Sequence, residues 1–421
     1  MFETISMIGL GYIGLPTATL FASRKKKVIG VDINQHAVDT INQGKIHIVE
    51  PELDMLVHSA VTKGYLRATT QPEPADAFLI AVPTPFTDGH KPDLSYIEEA
   101  AKAIAPVLAK GNLVILESTS PVGTTEKLAD WLAAARPDLT FPQQAGEEAD
   151  IQVAYCPERV LPGKVVHELV ANDRVIGGMT NKATEMACAL YETFVEGELV
   201  PTNARTAEMC KLTENSFRDV NIAFANELAM ICDKLDINVW ELIRLANRHP
   251  RVNILQPGAG VGGHCIAVDP WFIVDTTPNE ARIIRTAREV NDHKPEWVLN
   301  KVKVGIADVL SEQPNKTMAD IKVACLGLAF KPDIDDLRES PAVEITQQIA
   351  HLGCQILVVE PNIVSLPPRL NKPNIYLSVL IEALSNADVV CILVRHEPFV
   401  NAAGEICRNG NVVDPAGVLV V

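Results

Sequence analysis

Thr4-Ile5-Ser6-Met7-Ile8-Gly9-Leu10-Gly11-Tyr12-Ile13-Gly14 decides how this chain folds. A short apolar run leads into three glycines at the spacing G-x-G-x-x-G, and a helical pattern follows from Leu15 to about Ser23. A second strand-like run, Val28-Ile-Gly-Val-Asp32, ends on a carboxylate 18 residues after Gly14. Strand, glycine turn, helix and a second strand closing on Asp make up the unit that cradles a dinucleotide. The glycines let the backbone approach the pyrophosphate, which sits at the helix N-terminus, and the acid accepts hydrogen bonds from the adenosine ribose. Asp32 would repel the extra phosphate of NADP, and Ile33-Asn34 offer no arginine to hold it. The expected cofactor is NAD, held by Gly9, Gly11, Gly14 and Asp32.

Outward from this unit, Ala77–Val82, Leu113–Leu116, Ile151–Tyr155 and Arg174–Gly177 read as further buried strands with helical segments between several of them. That alternation predicts a parallel, doubly wound sheet. From Thr206 to about Leu235 the pattern is helical, with no Gly or Pro. A helix of that length spans roughly 45 Å at 1.5 Å per residue. Helix continues through Val239–Asn247 and Ala281–Ala307, and polar Ser311–Asp320 is expected to be a linker. Ile321–Leu326, Gln355–Val359, Ala387–Val394 and Asn411–Val413 then predict a second, smaller α/β unit. Its first turn, Gly327-Leu-Ala-Phe330-Lys331-Pro332, lacks the G-x-G-x-x-G spacing, so it is not expected to hold a dinucleotide in the usual way. The expected organisation is an α/β fold of three parts: 1–203 binding NAD, 204–310 helical and carrying a cysteine loop, and 311–421 as the second α/β unit.

Composition narrows the function. The 421 residues carry a net charge of −16, which argues against non-specific nucleic-acid binding and leaves any anionic ligand to local Arg, Lys and backbone N–H groups. Nine cysteines without a C-x-x-C pair argue against a disulfide framework and a thiolate zinc site. A reducing cytoplasm is the expected setting. No basic leader with a cleavage site opens the chain, and no run of 18 apolar residues predicts a membrane span.

Three patterns carry candidate chemistry. Gly258-Ala-Gly-Val-Gly262-Gly-His-Cys265-Ile-Ala-Val-Asp269 places one thiol at the end of a glycine-rich loop. Such a loop can bring the thiol against a substrate, or it is a tight turn with a buried cysteine. Val82-Pro-Thr84-Pro85 and Glu117-Ser-Thr119-Ser-Pro121 each follow a strand, so their hydroxyls reach the carboxyl edge of the sheet, to touch a ligand or to cap helices; Thr125 reads the same two ways. Glu208, Lys211, Asn215 and Arg218 share one helix face, which is either solvated or aimed into a cleft, where a lysine with a lowered pKa could act as a base. Met209, Leu212, Phe217, Val220 and Phe224 predict that the other faces are packed. Asn247-Arg-His249-Pro-Arg251 is a small basic cluster suited to a diphosphate or to solvent, and Arg159 and Arg338 stand likewise.

Taken together, Gly9–Gly14, Val82–Pro85, Glu117–Thr119, Tyr155-Cys-Pro-Glu158-Arg159, Glu208–Asn215, Gly260–Cys265 and Phe330-Lys-Pro332 resemble the UDP-glucose/GDP-mannose dehydrogenases over nearly the whole chain. Asn247–Leu255 and Asp269-Pro-Trp-Phe272 most resemble the branch acting on UDP-N-acetyl-D-mannosamine. The resemblance implies two Rossmann-like doubly wound domains joined by a long central helix and a helical middle segment that builds a homodimer. It implies oxidation of a sugar C6 alcohol to a carboxylate with two NAD+.

The resemblance also distributes roles. Cys265 would capture the aldehyde and pass through a thioester. Lys211 would take the alcohol proton and, with Asn215, stabilise oxyanions. Asp269 with Thr119 would position water, and Glu158 would belong to that cluster. Arg159, Val160, Lys211, Asn215, Arg218, His249, Arg251 and Gly262 would line the UDP-sugar site, reached by Phe330 and Lys331. Tyr12, Ile13, Thr84 and Thr125 would join the NAD site, and Arg338 would reach the cofactor.

Competing functions leave different marks. A two-electron dehydrogenase of small hydroxy acids needs neither Cys265 nor a second α/β unit. Short-chain epimerases and dehydratases use Tyr-x-x-x-Lys, and none of the six tyrosines has a lysine four residues on. A non-catalytic nucleotide-sugar sensor would not need Lys211, Asn215 and Cys265 together.

Overall fold

The computed structural model describes residues 2–48, 50, 52–87, 89–160, 163–263 and 265–420. The chain forms two compact units, Met1–Glu214 and Asn215–Val421.

The strands of the first unit are β1 (Thr4–Ile8), β2 (Lys27–Val31), β3 (Leu66–Thr69), β4 (Ala77–Ile80), β5 (Phe86–Thr87), β6 (Lys91–Pro92), β7 (Leu113–Leu116), β8 (Gln152–Tyr155), β9 (Arg174–Gly178) and β10 (Leu199–Asn203). Eight of them build one sheet in the order β10-β9-β8-β7-β4-β1-β2-β3, and β5 with β6 makes a small hairpin. The strands read as apolar runs because helices cover both faces of the sheet. Successive residues then feed two cores. Ile5 and Met7 pack with Leu15 and Phe21 on one face, while Ile8, Phe78 and Ile80 pack with Ile97, Leu128 and Leu132 on the other.

The sheet departs from the expected wholly parallel one at a single pair. β9 runs antiparallel to β8, with Tyr155 opposite Gly177, whereas the other neighbours pair in parallel. The connection after β8 therefore starts and finishes at the carboxyl edge of the sheet. Its one helix, Val165–Ala171, is only about 10 Å long at 1.5 Å per residue and makes no crossover.

In the second unit β11 (Lys322–Leu326), β12 (Gln355–Val359), β13 (Ile375–Leu377), β14 (Val389–Ile392) and β15 (Val412–Val413) form a parallel sheet in the order β13-β12-β11-β14-β15. Val298, Val302, Ile306 and Val309 of the helix Arg282–Glu312 pack on one face of this sheet. That helix runs through Ser311 and Glu312 into the expected linker. It stops at Gln313 because Pro314 disfavours the helical conformation in the residue before it. The rest of the linker holds a one-turn helix, Met318–Asp320.

Candidate active site

The glycine turn after β1 is built for close approach. A Cβ on Gly14 would lie 1.8 Å from the Gly9 carbonyl oxygen, so only glycine lets the helix Gly14–Ser23 pack against the turn. At Gly11 an added Cβ would meet nothing within 4 Å, which leaves open space for a ligand. The helix has no capping side chain and no acid in its first turn, so its leading N–H groups suit an anion. Asp32 is half-buried. Its carboxylate accepts the Leu10 N–H and the Asn34 N–H, both at 2.9 Å, and keeps lone pairs for ribose hydroxyls. Tyr12 is exposed beside Ile13 on the same turn. These residues fit a dinucleotide.

Strand ends bring the other polar groups of the first unit to the same edge. Thr84, after β4, donates its hydroxyl to the Thr119 carbonyl at 2.5 Å, tying the loops after β4 and β7 together. Lys211 belongs to the helix Ala204–Lys234 and is 6% exposed. Its amine donates to the Glu158 carbonyl oxygen at 2.8 Å and lies 3.4 Å from Glu158 Oε1. Glu158 Oε2 accepts the Val160 N–H, and Arg159 pairs with Glu214 at 2.7 Å.

Glu208, one turn before Lys211, is fully buried. Its carboxylate accepts the Gly123 N–H, the Thr125 N–H and the Thr125 hydroxyl, at 2.6, 2.7 and 2.6 Å. Burial pushes this carboxyl up, and the bonds from Thr125 and Gly123 oppose it. Glu208 thus caps the helix Thr124–Ala135 from 85 residues away in sequence, and the Thr125 hydroxyl is spent on it. The face carrying Glu208 and Lys211 is buried, while Arg218 is exposed.

In the second unit Cys265 is exposed, and its carbonyl oxygen accepts the Val268 and Asp269 N–H groups. That turn leads into the helix Asp269–Thr276 and sets Asp269, 3% exposed, one turn beyond the thiol-bearing residue. Asp269 Oδ2 accepts the Asn215 amide at 2.5 Å. The glycine loop before Cys265 is packed tightly. A Cβ on Gly262 would lie 2.4 Å from the Glu339 carbonyl oxygen and 2.8 Å from the Phe330 Cβ. His264 of this motif lies outside the described residues. Lys331 stands over the Phe330 ring, and Gly258, Gly260, Phe330 and Lys331 line a cavity of about 240 Å³. Arg338 pairs with Asp336 at 2.6 Å. Arg248, His249 and Arg251 sit on an exposed turn braced by Asn247, whose side chain bonds both backbone groups of Ile254.

Glu360, just after β12, occupies the place that Asp32 holds after β2. Its carboxylate is consumed within the protein. It accepts the Leu328, Ala329 and Asn362 N–H groups and bonds His396 Nε2 at 3.0 Å. Burial pushes it up, but the bonds from His396 and Leu328 outweigh burial and hold it below the usual carboxylate range. Sequence reading missed Glu208 as a cap and His396 as a partner. Neither leaves a local pattern, because each meets its partner only through the tertiary fold.

Comparison with known proteins places this geometry. Residues 3–195 match the NAD binding domain of the UDP-glucose/GDP-mannose dehydrogenase family, 205–293 its central domain and 324–420 its UDP binding domain. The chain belongs to that family. As a member it is an NAD-dependent nucleotide-sugar dehydrogenase. It is 68% identical to the UDP-N-acetyl-D-mannosamine dehydrogenase of Campylobacter jejuni, over 96% of this chain and 98% of that one. It is 65% identical to the NDP-N-acetyl-D-galactosaminuronic acid dehydrogenase of Ralstonia nicotianae, over 99% and 96%. Among solved structures, the UDP-D-ManNAc dehydrogenase of Pyrococcus horikoshii superposes with a TM-score of 0.85 at 38% identity, covering 99% of this chain and 96% of that one. Among the described residues no helix is long and apolar enough to cross a membrane.

Proposed function

We propose that this family member oxidises UDP-N-acetyl-D-mannosamine at C6 to the uronate, as a cytoplasmic homodimer. Its parts are a cofactor domain (1–203), a helical domain with the cysteine loop (204–310) and a UDP-binding domain (311–421). The observation that carries the chemistry is the exposed Cys265, set one helical turn before a buried Asp269 that is hydrogen-bonded to Asn215. A plain alcohol dehydrogenase has no use for that thiol.

The overall change is RCH2OH + 2 NAD+ + H2O → RCOO− + 2 NADH + 3 H+. Gly9, Gly11, Tyr12, Ile13, Gly14, Asp32 and Thr84 would hold NAD+, with Thr125 and Arg338 supporting that site, and the bound NAD+ would supply the hydride acceptor for each two-electron stage. Lys211 takes the C6 hydroxyl proton, and the Glu158 oxygens orient the amine for it. The Cys265 sulfur bonds the aldehyde carbon, giving a thiohemiacetal whose oxygen Lys211 and Asn215 stabilise. Loss of a second hydride leaves a thioester. Asp269 and Thr119 aim water at it, and the thiolate leaves. Arg159, Val160, Arg218, His249, Arg251, Gly262, Phe330 and Lys331 hold the nucleotide sugar.

Limiting UDP-N-acetyl-D-mannosamine should give two NADH per sugar, read at 340 nm. One NADH with an aldehyde product would refute the thioester route. The Ralstonia relative's name supports a second reading, an NDP-linked N-acetylgalactosamine derivative. A panel of UDP sugars compared by kcat/KM separates the two.

A further inference from the structure

Four buried side chains outside the assigned site surround the end of β7. Glu117 follows that strand, two residues before Thr119, and is 2% exposed. Its Oε1 accepts the Tyr191 hydroxyl at 2.5 Å and lies 3.9 Å from Arg174 Nη1. Its Oε2 has no hydrogen-bond partner among the described residues. Arg174 also donates to Cys156 Sγ at 3.6 Å, and its guanidinium lies 4.7 Å from the centre of the Tyr191 ring. Cys156 follows β8, two residues before Glu158. Arg174 opens β9, and the reversal of that strand against β8 is what delivers it to the carboxyl edge.

The cluster therefore joins the roots of two loops, one carrying Thr119 and one carrying Glu158, whose oxygens hold the Lys211 amine. Its chemistry is unusual for a structural ion pair. At 3.9 Å the Arg174–Glu117 contact is long, and both groups are cut off from water. Burial pushes the Glu117 carboxyl up to about 7. Arg174 and the Tyr191 bond oppose this, and the charge on Glu158 adds to it. Burial likewise pushes Cys156 up to about 11 and Tyr191 well above its ordinary value, so neither supplies a competing anion near neutrality. The charges that face Glu117 are those of Arg174 on β9 and of Glu158 after β8.

We infer that Glu117, held by Tyr191 and Arg174, is a positioning residue that fixes the Thr119 and Glu158 loops and sets the charge felt by the Glu158–Lys211 pair. The inference rests on the sugar-oxidation reading, in which Lys211 must be neutral to take a proton. An ionised Glu117 favours the protonated amine, so removing that charge makes the neutral amine available at lower pH.

The test is the Glu117→Gln enzyme, assayed for NADH formation across pH 6–10 with its thermal midpoint recorded. The rising limb of kcat should move to lower pH by on the order of half a unit, with KM for sugar and NAD within about twofold of wild type. A folded variant with the wild-type profile overturns the inference. Should that variant unfold, Tyr191→Phe removes one bond to the same carboxylate. A shifted limb in Tyr191→Phe supports the role, and an unshifted one in a folded protein overturns it. An inactive wild type would sink the sugar-oxidation reading instead, so the two failures are distinct.

Discussion

Lys211 and Asp32 illustrate what a single residue discloses. The residue types and spacings were legible in sequence; their partners were not. Lys211 reads as one charged position on a helix face, yet it is buried against the oxygens of Glu158, 53 residues away in the chain. Lys211→Met removes the amine while keeping the stem, so kcat should fall by about 10²–10⁴-fold, the usual worth of a general base. Stopped-flow NADH formation reads the first stage alone, and a fall confined to later turnovers would remove Lys211 from the proton transfer. Asp32 accepts two backbone N–H groups, and the proposed NAD site gives its charge a second task at the ribose. Asp32→Asn keeps an acceptor for the turn but drops the charge. It should raise the Kd for NAD and narrow the gap to NADP, as read by fluorescence titration. An unchanged NAD/NADP ratio would show that the charge does not select the cofactor. Cys265→Ser should accumulate a covalent ester visible by intact mass, because an alkoxide leaves less readily than a thiolate. Cys265→Ala making carboxylate at near wild-type rate would end the covalent assignment.

Elements were legible where periodicity was long and unbroken. The helices Ala204–Lys234 and Arg282–Glu312 announce themselves through their patterns, whereas the β9 reversal and the edge strand β10 do not. Strand direction is fixed by a connection's path, which leaves no residue signature. What fastens the two long helices in the second unit was also hidden. Arg288 and Asp219 pair at 2.7 Å with both side chains buried, and Asn291 donates to the same carboxylate. Burial pushes Asp219 up while Arg288 opposes it. Asp219→Ala would leave the buried Arg288 guanidinium paired with Asp292 but without its buried partner, so it should cost about 1–3 kcal/mol in chemical denaturation. A loss below about 1 kcal/mol would mean that water reaches Arg288.

Lys294, on the same helix as Arg288, sits 4.0 Å from the centre of the Trp297 ring. Burial pushes its amine down to about 7, with Asp233 opposing. Its folded value lies below its unfolded one, so its share of stability is present above about 10.5 and is lost as pH falls through about 7. Lys294→Met should flatten the pH dependence of the denaturation midpoint between those values. An unchanged slope would assign that dependence to other groups.

At the scale of the whole molecule, composition and motif order announced two α/β units and the reaction class, but not what the apolar surface is for. Phe217 and Phe224 were expected to be packed; in the single chain they are 70% and 52% exposed, as are Ile231 at 46% and Ile283 at 71%. Val220, Phe224, Ile283, Ile284 and Val290 line a groove of about 920 Å³ in the second unit. Periodicity reports that a face is apolar and cannot report whether its own chain or another covers it. Exposed apolar side chains this numerous on one helix pair mark an interaction surface, whose burial would contribute roughly 25 cal/mol per Å². A second copy of the chain is the occupant that the homodimer proposal supplies. Phe224→Asp combined with Ile283→Asp sets charges into that surface without touching Cys265, Lys211 or the glycine turn. In sedimentation velocity at micromolar concentration the wild type should run as a dimer and the double variant as a monomer. Because a dimer that binds only its folded form is stabilised by mass action, the wild-type Tm should also rise with protein concentration while that of the variant stays flat. A wild type that sediments as a monomer would refute the dimer and leave the apolar groove to a different partner. A dimer unaffected by both substitutions would place the interface elsewhere on the chain.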